Sequence, residues 1–225
     1  MKLLSLDSTG KTAAVAVSEG ARLLAEGFSD EGLTHSQTLL PLIDRTLKDA
    51  GLTVGEIEAF AVTNGPGSFT GLRIGCGLAK GLALGRPCIA VPTLMALAFN
   101  EAESGRVAVA LLDARCRQVY MGGYAFENGV PRRVLPDQAC SVEEAKAQFT
   151  ALGAPAVLLG DGAYLLADLA DGEQIVLSEK NFIKGAGIAK AAMHLEARPP
   201  EELIPAYFRL SQAEREYQQR KGEQK

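Results

Sequence analysis

The chain of 225 residues has no tryptophan, only two histidines and four cysteines, and each scarcity argues against a class of function. His35 and His194 are far apart and neither has a His-x-x-x-His partner, which argues against a histidine-rich zinc or iron site. No two cysteines have the Cys-x-x-Cys spacing of zinc or thioredoxin sites. Cys76 and Cys88 stand in apolar stretches, so we interpret them as core thiols.

Long apolar runs and concentrated positive charge are also missing. No apolar run reaches the roughly 20 residues that cross a bilayer, and an aspartate at position 7 comes too early for a signal peptide. The formal net charge is −4, and the longest basic cluster is the pair Arg132–Arg133, too short for a nucleic-acid patch. We therefore expect a soluble, reduced, cytoplasmic protein without a membrane partner.

The apolar pattern predicts alternating strands and helices, which is typical of an α/β fold, and 47% hydrophobic residues allow a sizeable core. Strands are predicted over 2–6, 12–20, 22–30, 57–65, 87–93, within 106–126, within 154–162 and over 174–177. Helices are predicted over 34–51, 71–85, 94–103, 141–152, 163–170 and 185–197. Ser141 and Glu144 have the spacing of a capping box at the start of the fourth helix.

One pattern occurs twice. A strand, an aspartate, a short turn and a second strand are predicted over 2–20, with Asp7, and over 106–126, with Asp113. The repeat indicates an internal duplication with a boundary near residue 103. We therefore predict a first lobe over 1–103, a second lobe over 104–210 and a polar tail over 211–225.

The two repeated aspartates allow two interpretations. Carboxylates at the tips of two similar hairpins could flank a cleft and hold a metal–phosphate, as in a two-lobed phosphotransferase. Alternatively, each aspartate bonds the amides of its own turn, as aspartate commonly does. The first turn contains Ser8-Thr9-Gly10, whereas the second contains Ala114-Arg115-Cys116, without glycine or hydroxyl. This asymmetry favours the structural interpretation.

The densest glycine cluster is NGPGSFTGLRIG at 64–75. Gly65 and Gly67 lie between a predicted strand and a predicted helix, where an anion could bind at the helix N-terminus. A dinucleotide fingerprint would place its third glycine at Thr70, but Gly71 comes one residue late. Glycines continue through the helix at spacings of four, which predicts a bare face for close packing within the fold or with a partner subunit. The residues kept as candidates for a vestigial anion or nucleotide site are Asp7, Ser8, Thr9, Gly65, Gly67 and Asp113.

Six segments occur in the order seen in the bacterial TsaB (YeaZ) family. They are LDST at 6–9, THSQTLLP at 34–41, NGPGSFTGLRIG at 64–75, AVPTL at 90–94, LLDAR at 111–115 and PAYFR at 205–209. They span almost the whole chain, and the glycine-rich string is long and specific, so the chain resembles this family. The resemblance implies a two-lobed ASKHA fold, actin-like and sugar-kinase-like, with duplicated lobes that each combine a β-hairpin with helices.

The resemblance also implies a role in making threonylcarbamoyladenosine (t6A) in tRNA. In that pathway the paralogue TsaD is the metal- and nucleotide-dependent transferase, this family is its non-catalytic partner, and the ATPase TsaE joins them. We therefore expect no cofactor on this chain, with ATP and metal on the partner subunits, and contact with tRNA only through the complex. A homodimer is expected when the partner is absent.

The resemblance places the TsaD contact on two helices of the first lobe. The residues expected there are His35, Leu39, Leu40, Ile43, Leu47, Gly71, Leu72, Ile74, Gly75 and Leu78. Two other functions stay open at this point. One is an independent ASKHA-type ATPase or phosphotransferase that uses Asp7 and Asp113. The other is a glycoprotease-like peptidase that acts on the paralogue, an idea based on an older grouping of the family, although the chain has no G-x-S-x-G motif.

Overall fold

The computed structural model describes residues 1–32 and 34–209. The predicted polar tail over 211–225 lies outside these residues. The first sheet has five strands, in the order β3-β2-β1-β4-β5. They are β1 (Lys2–Asp7), β2 (Ala13–Glu19), β3 (Arg22–Ser29), β4 (Ala59–Gly65) and β5 (Cys88–Pro92). The first three strands form an antiparallel meander, and β4 and β5 are added parallel to β1.

The second sheet repeats this topology. Its strands are β6 (Val107–Arg115), β7 (Gln118–Glu127), β8 (Val130–Ser141), β9 (Ala156–Leu159) and β10 (Ile175–Leu177). Their order is β8-β7-β6-β9-β10, with an antiparallel meander from β6 to β8 and with β9 and β10 parallel to β6. The same order, read in the same chain direction, confirms the internal duplication and the two-lobed α/β fold.

The helices also occur in matching places. They are α1 (His35–Asp49), α2 (Phe69–Ala83), α3 (Thr93–Ala98), α4 (Val142–Leu152) and α5 (Gly185–Ala192). In each half one helix connects the third strand to the fourth, α1 in the first and α4 in the second. The connection to the fifth strand is α2 in the first half and a 3-10 segment, Ala163–Leu169, in the second. The predicted capping box is confirmed, because Ser141 Oγ accepts from the Glu144 N–H and the Glu144 carboxylate accepts from the Ser141 N–H.

The last helix of each half packs on the sheet of the other half. Helix α3 contacts β6 and β7, α5 contacts β1 and β2, and the two helices contact each other. A shared apolar core forms there because small side chains let helices and sheets approach closely; it includes Ala61, Leu94, Ala108 and Ile188. The predicted boundary near residue 103 stays a prediction, and α5, which lies in the predicted second lobe, packs on the first sheet.

Strand β8 is the element that the sequence prediction missed. It is an edge strand with Pro131 and Pro136 in which only two residues, Leu135 and Cys140, are buried, so its sequence lacks the apolar alternation of a half-buried strand. The hairpin signal was present as Asn128–Gly129, both with left-handed backbone, φ 52° and 79°. Helix α5 is also shorter than predicted and ends at Ala192.

Candidate functional site

The first of the two repeated aspartates, Asp7, closes its own turn. It is buried at the end of β1, and its Oδ1 accepts hydrogen bonds from the Thr9 N–H (3.1 Å), Thr9 Oγ1 (2.7 Å) and Thr63 Oγ1 (2.5 Å). Its Oδ2 is buried without a hydrogen-bond partner among the described residues. Burial raises the pKa of this carboxyl, and the bonds from Thr63 and Thr9 oppose the increase. These contacts support the interpretation that Asp7 stabilises its own turn.

The second aspartate makes the equivalent turn contact. Asp113 Oδ1 accepts from the Arg115 N–H at 2.7 Å, just as Asp7 accepts from the residue two positions on. The Asp113 N–H donates to Asp161 Oδ1 at 3.0 Å. Burial raises the pKa of Asp161, and the neighbouring charge of Asp113 acts in the same direction. Asp161 was not predicted, because its position depends on the pairing of β6 with β9.

The glycine cluster packs against the turn that Asp7 closes. The Ser68 N–H donates to the Thr9 carbonyl at 2.8 Å, and Ser8 Oγ donates to the Gly71 carbonyl at 2.9 Å. A Cβ at Gly71 would overlap the Ser8 carbonyl oxygen, and one at Gly67 would come within 2.6 Å of Thr9 Cβ. These glycines therefore provide a close approach between two backbone segments of the same lobe.

A cleft of about 410 Å³ lies between the two repeated turns. Its walls come from residues 9–11 and 67–69 of the first lobe and from residues 112–115, Tyr120 and Asp161 of the second. Lys11, Arg115 and Arg209 bring positive charge, whereas Asp113 and Asp161 bring negative charge. The structure thus brings Thr9, Gly67 and Asp113 of the predicted anion site to one cleft, while Asp7, Ser8 and Gly65 do not line it. Neither Lys11 nor Arg209 was predicted as a site residue, although Arg209 ends the family segment PAYFR at 205–209.

The residues predicted for a partner surface divide into buried and accessible groups. The side chains of Leu39, Ile43, Leu47 and Leu72 are buried in the lobe core. Gly71 and Gly75 are also buried, and both face Ser8. The close packing predicted for this glycine face therefore takes place within the fold, because the β1–β2 turn covers Gly71 and Gly75.

The accessible group is smaller. Leu40 is 51% exposed, and His35, Ile74 and Leu78 are partly exposed. The His35 ring is tied to the first turn through Nε2, which lies 2.8 Å from the Gly10 carbonyl oxygen. The structure contains a single chain and does not test contact with a partner. The partner surface therefore stays a prediction, now limited to His35, Leu40, Ile74 and Leu78.

The described residues contain no group of three or more His, Cys, Asp or Glu side chains placed to hold a metal ion. None of the helices in this part of the chain combines the length and apolar character of a membrane-spanning segment.

Comparison with known proteins identifies the family. The family model described as TsaD, tRNA N6-adenosine threonylcarbamoyltransferase, matches residues 32–170. The tRNA threonylcarbamoyladenosine biosynthesis protein TsaB of Bacillus subtilis is 31% identical over 224 residues, which cover 95% of this chain and 96% of that protein. The corresponding protein of Escherichia coli is 33% identical, over 80% of this chain and 79% of its own length.

Solved structures agree with the sequence match. A Pseudomonas aeruginosa protein, described as similar to the peptidase YeaZ, superposes with a TM-score of 0.82 at 27% identity and covers 92% of this chain and 99% of its own. Component A of (R)-2-hydroxyglutaryl-CoA dehydratase from Acidaminococcus fermentans shares the fold alone, with a TM-score of 0.52 at 12% identity, over 87% and 97% of the two chains. The predicted two-lobed ASKHA fold is confirmed, and the chain belongs to the TsaB (YeaZ) family of tRNA threonylcarbamoyladenosine biosynthesis proteins.

Proposed function

We propose that this chain is a non-catalytic subunit of the cytoplasmic machinery that forms t6A in tRNA, and that it binds and stabilises a TsaD-type transferase together with a TsaE-type ATPase. Family membership supports the pathway. ATP and metal then belong to the partner subunits, and tRNA is reached only through the complex. The glycine cluster supports a non-catalytic role, because the Ser68 N–H, an amide at the start of α2 from which a phosphate group could accept, already donates to the Thr9 carbonyl.

The observation that carries the partner role is an exposed stripe on α2. Ile74, Gly77 and Gly81 follow one another at spacings of three and four residues and so share one side of the helix, and Leu84 comes directly after the last helical residue. A Cβ at Gly77 or Gly81 would meet nothing within 4 Å, and Leu84 is 83% exposed. Each glycine in a helix interior costs about 1 kcal/mol relative to alanine. Because no contact inside the lobe requires these glycines, close approach by another chain is the reason that we propose for them.

The neighbouring helix extends this surface. Helix α1 contacts α2 and exposes half of the Leu40 side chain. Ile74, Leu78 and Leu82 pack partly against the lobe core and remain partly accessible. Small residues flanked by aliphatic side chains match the apolar centre of a helix–helix interface. The same surface can pair two copies of this chain when the transferase is absent.

Binding to the TsaD-type protein encoded by the same organism tests the proposal. We expect the purified wild-type chain to bind it, and we expect Gly81→Arg and Leu40→Glu each to weaken the Kd at least about tenfold, a loss of about 1.4 kcal/mol. Met193→Glu is the matched control, because Met193 is 56% exposed but lies beyond α5. No binding by the wild type would contradict the partner role. Unchanged binding by both folded variants would contradict this interface alone.

A second candidate function is nucleotide binding or phosphotransfer, and the cleft between the two aspartate turns is the observation that favours it. Calorimetry of the isolated chain with Mg-ATP separates the two functions. Binding tighter than about 10 µM that is lost in Lys11→Ala would support the second function, because Lys11 lines the cleft whereas Asp7 does not. We expect no such binding.

A peptidase function has a weaker basis. Ser68, the serine of the glycine cluster, uses its Oγ to accept the Gly71 N–H at 3.3 Å and so caps α2. The purified chain should leave the TsaD-type partner intact during an incubation of hours, as judged by intact-protein mass spectrometry. A cleavage product that disappears in Ser68→Ala would overturn this expectation.

A further inference from the structure

The segment PAYFR, residues 205–209, contacts both lobes, and its last residue, Arg209, lines the cleft between them. It follows the last 3-10 turn, Pro200–Glu202, and Leu203, which is buried in the core of the first lobe. The sequence analysis singled out this motif, and the proposed function gives it no role. We propose that residues 205–209 form an intramolecular clasp that holds the two lobes at one separation across the cleft.

The first attachment is to the end of β4. The Ala206 N–H donates to the Asn64 carbonyl at 2.6 Å, and Asn64 Nδ2 donates to the Ile204 carbonyl at 3.2 Å. Gly65 has φ 138°, and a Cβ there would overlap the Ala206 carbonyl oxygen. Gly65 therefore serves the clasp twice, since its backbone conformation favours glycine and its missing side chain makes room for Ala206.

The second attachment is to the first turns of α2. The Tyr207 ring stacks on the Phe69 ring with centroids 4.6 Å apart and an interplanar angle of 8°. Arg73 Nε donates to the Tyr207 hydroxyl at 2.9 Å, and its guanidinium carbon lies 5.7 Å from the ring centroid. An aromatic pair of this kind is stabilised by more than the apolar area that it buries.

The next two residues contact the second lobe. The Phe208 ring meets the Tyr120 ring of β7 edge-on, with centroids 6.5 Å apart and an interplanar angle of 89°. Arg209 Nη1 donates to the carbonyl oxygen of Ala114, in the second aspartate turn, and Arg209 lines the cleft. Because Tyr207 is anchored to one lobe and its neighbours Phe208 and Arg209 to the other, the lobes cannot separate at the cleft without breaking one of these sets of contacts.

A distance measurement between the lobes tests the clasp. Cys116 is exposed on the turn of the second lobe, and Cys76, Cys88 and Cys140 are buried, so a nitroxide label on the folded chain reacts at Cys116. Thr70→Cys adds a second exposed label site at the start of α2. Electron–electron resonance between the two labels then reports the width of the cleft in the full-length chain.

We expect a narrow distance distribution in the labelled parent and a broader distribution, shifted to longer distances, when Tyr207→Ala and Arg209→Ala are combined. Tyr164→Ala is the matched control, because Tyr164 is 63% exposed and lies outside the clasp. Amide exchange in turns 8–12 and 113–117 should be about tenfold faster in the clasp variant. If the double variant does not fold, Arg209→Ala alone is measured against the same control. A folded clasp variant with an unchanged distance distribution would overturn the proposal.

Discussion

The Ser68 N–H donates a hydrogen bond of 2.8 Å to the Thr9 carbonyl oxygen, and this contact joins the glycine cluster to the turn that Asp7 closes. Ser68 caps the N-terminus of α2 and Thr9 lies two residues after the end of β1, so the bond fixes a helix start against a strand end. The bond also uses a backbone N–H at the start of α2 from which a bound phosphate could otherwise accept. Gly67 and Gly71 are therefore required for packing, whereas Gly77 and Gly81 of the same helix region face outward.

Gly71→Ala and Gly81→Ala should have opposite effects on stability. The new Cβ at position 71 would overlap the Ser8 carbonyl, so we expect the free energy of unfolding to fall by about 1–3 kcal/mol. At position 81 the Cβ meets nothing within 4 Å, so we expect a gain of up to about 1 kcal/mol from helix propensity. Urea unfolding of both variants measures the difference, and equal effects would contradict the packing role of Gly71.

Asp7 should make the stability of the chain depend on pH in one direction. Burial raises its pKa in the folded state above the ordinary value of 3.8, so its contribution to stability is complete below that value and is lost as the pH rises through the folded-state pKa. Asp7→Asn keeps an oxygen for the three donors and cannot ionise. We therefore expect the stability of the wild type relative to Asp7→Asn to fall as the pH rises from 3.8.

Asp7→Ala, in contrast, removes the acceptor itself. The Thr9 N–H, Thr9 Oγ1 and Thr63 Oγ1 lose their shared partner, and we expect a loss of at least about 2 kcal/mol at neutral pH. Asp30→Asn, at an exposed position, is the control for both variants. Urea unfolding across a pH series measures all of them. A pH-independent difference between wild type and Asp7→Asn would contradict the prediction.

The hairpin between β6 and β7 has a strained turn. Cys116 and Arg117 have φ 53° and 54°, a left-handed conformation that costs non-glycine residues about 1–2 kcal/mol each. The hairpin between β7 and β8 has the same left-handed conformation at Asn128 and Gly129, two residue types that adopt it more readily. We expect the double substitution Cys116→Asn with Arg117→Gly to stabilise the chain by about 1 kcal/mol, and Gly129→Ala to destabilise it by a similar amount. A calorimetric Tm that moves in the same direction in both variants would refute this assignment.

Arg86 connects the end of α2 to the loop before β4. Its guanidinium lies 4.9 Å from the centroid of the buried Phe60 ring. It donates hydrogen bonds to four carbonyl oxygens, those of Val54, Ile57, Leu82 and Ala83. A lysine ammonium cannot reproduce this planar arrangement, so we expect Arg86→Lys to cost about 2 kcal/mol. Arg45→Lys, at a side chain that is 80% exposed, should change little, and equal urea midpoints for the two variants would contradict the role of Arg86.

Local sequence patterns determined much of this fold. The two strand–aspartate–turn units, the capping box at Ser141 and the family motifs were readable because each depends on residues close together in the chain. They predicted the duplication and the order of most elements. Strand β8 was missed because an edge strand with two prolines need not alternate apolar and polar residues, even though Asn128–Gly129 indicated its hairpin.

Only the tertiary structure decided which glycines of α2 face the interior of the lobe. Helical spacing shows that Gly71 and Gly75 share one face and that Gly77 and Gly81 share another. The sequence alone does not show which of the two faces is buried. The β1–β2 turn, more than 60 positions away, covers the first face through Ser8 and leaves the second open. The sequence by itself thus determined the family, most of the elements and the repeat. Long-range packing decided which residues are buried and which are free to meet a partner, because burial depends on neighbours that are distant in the chain.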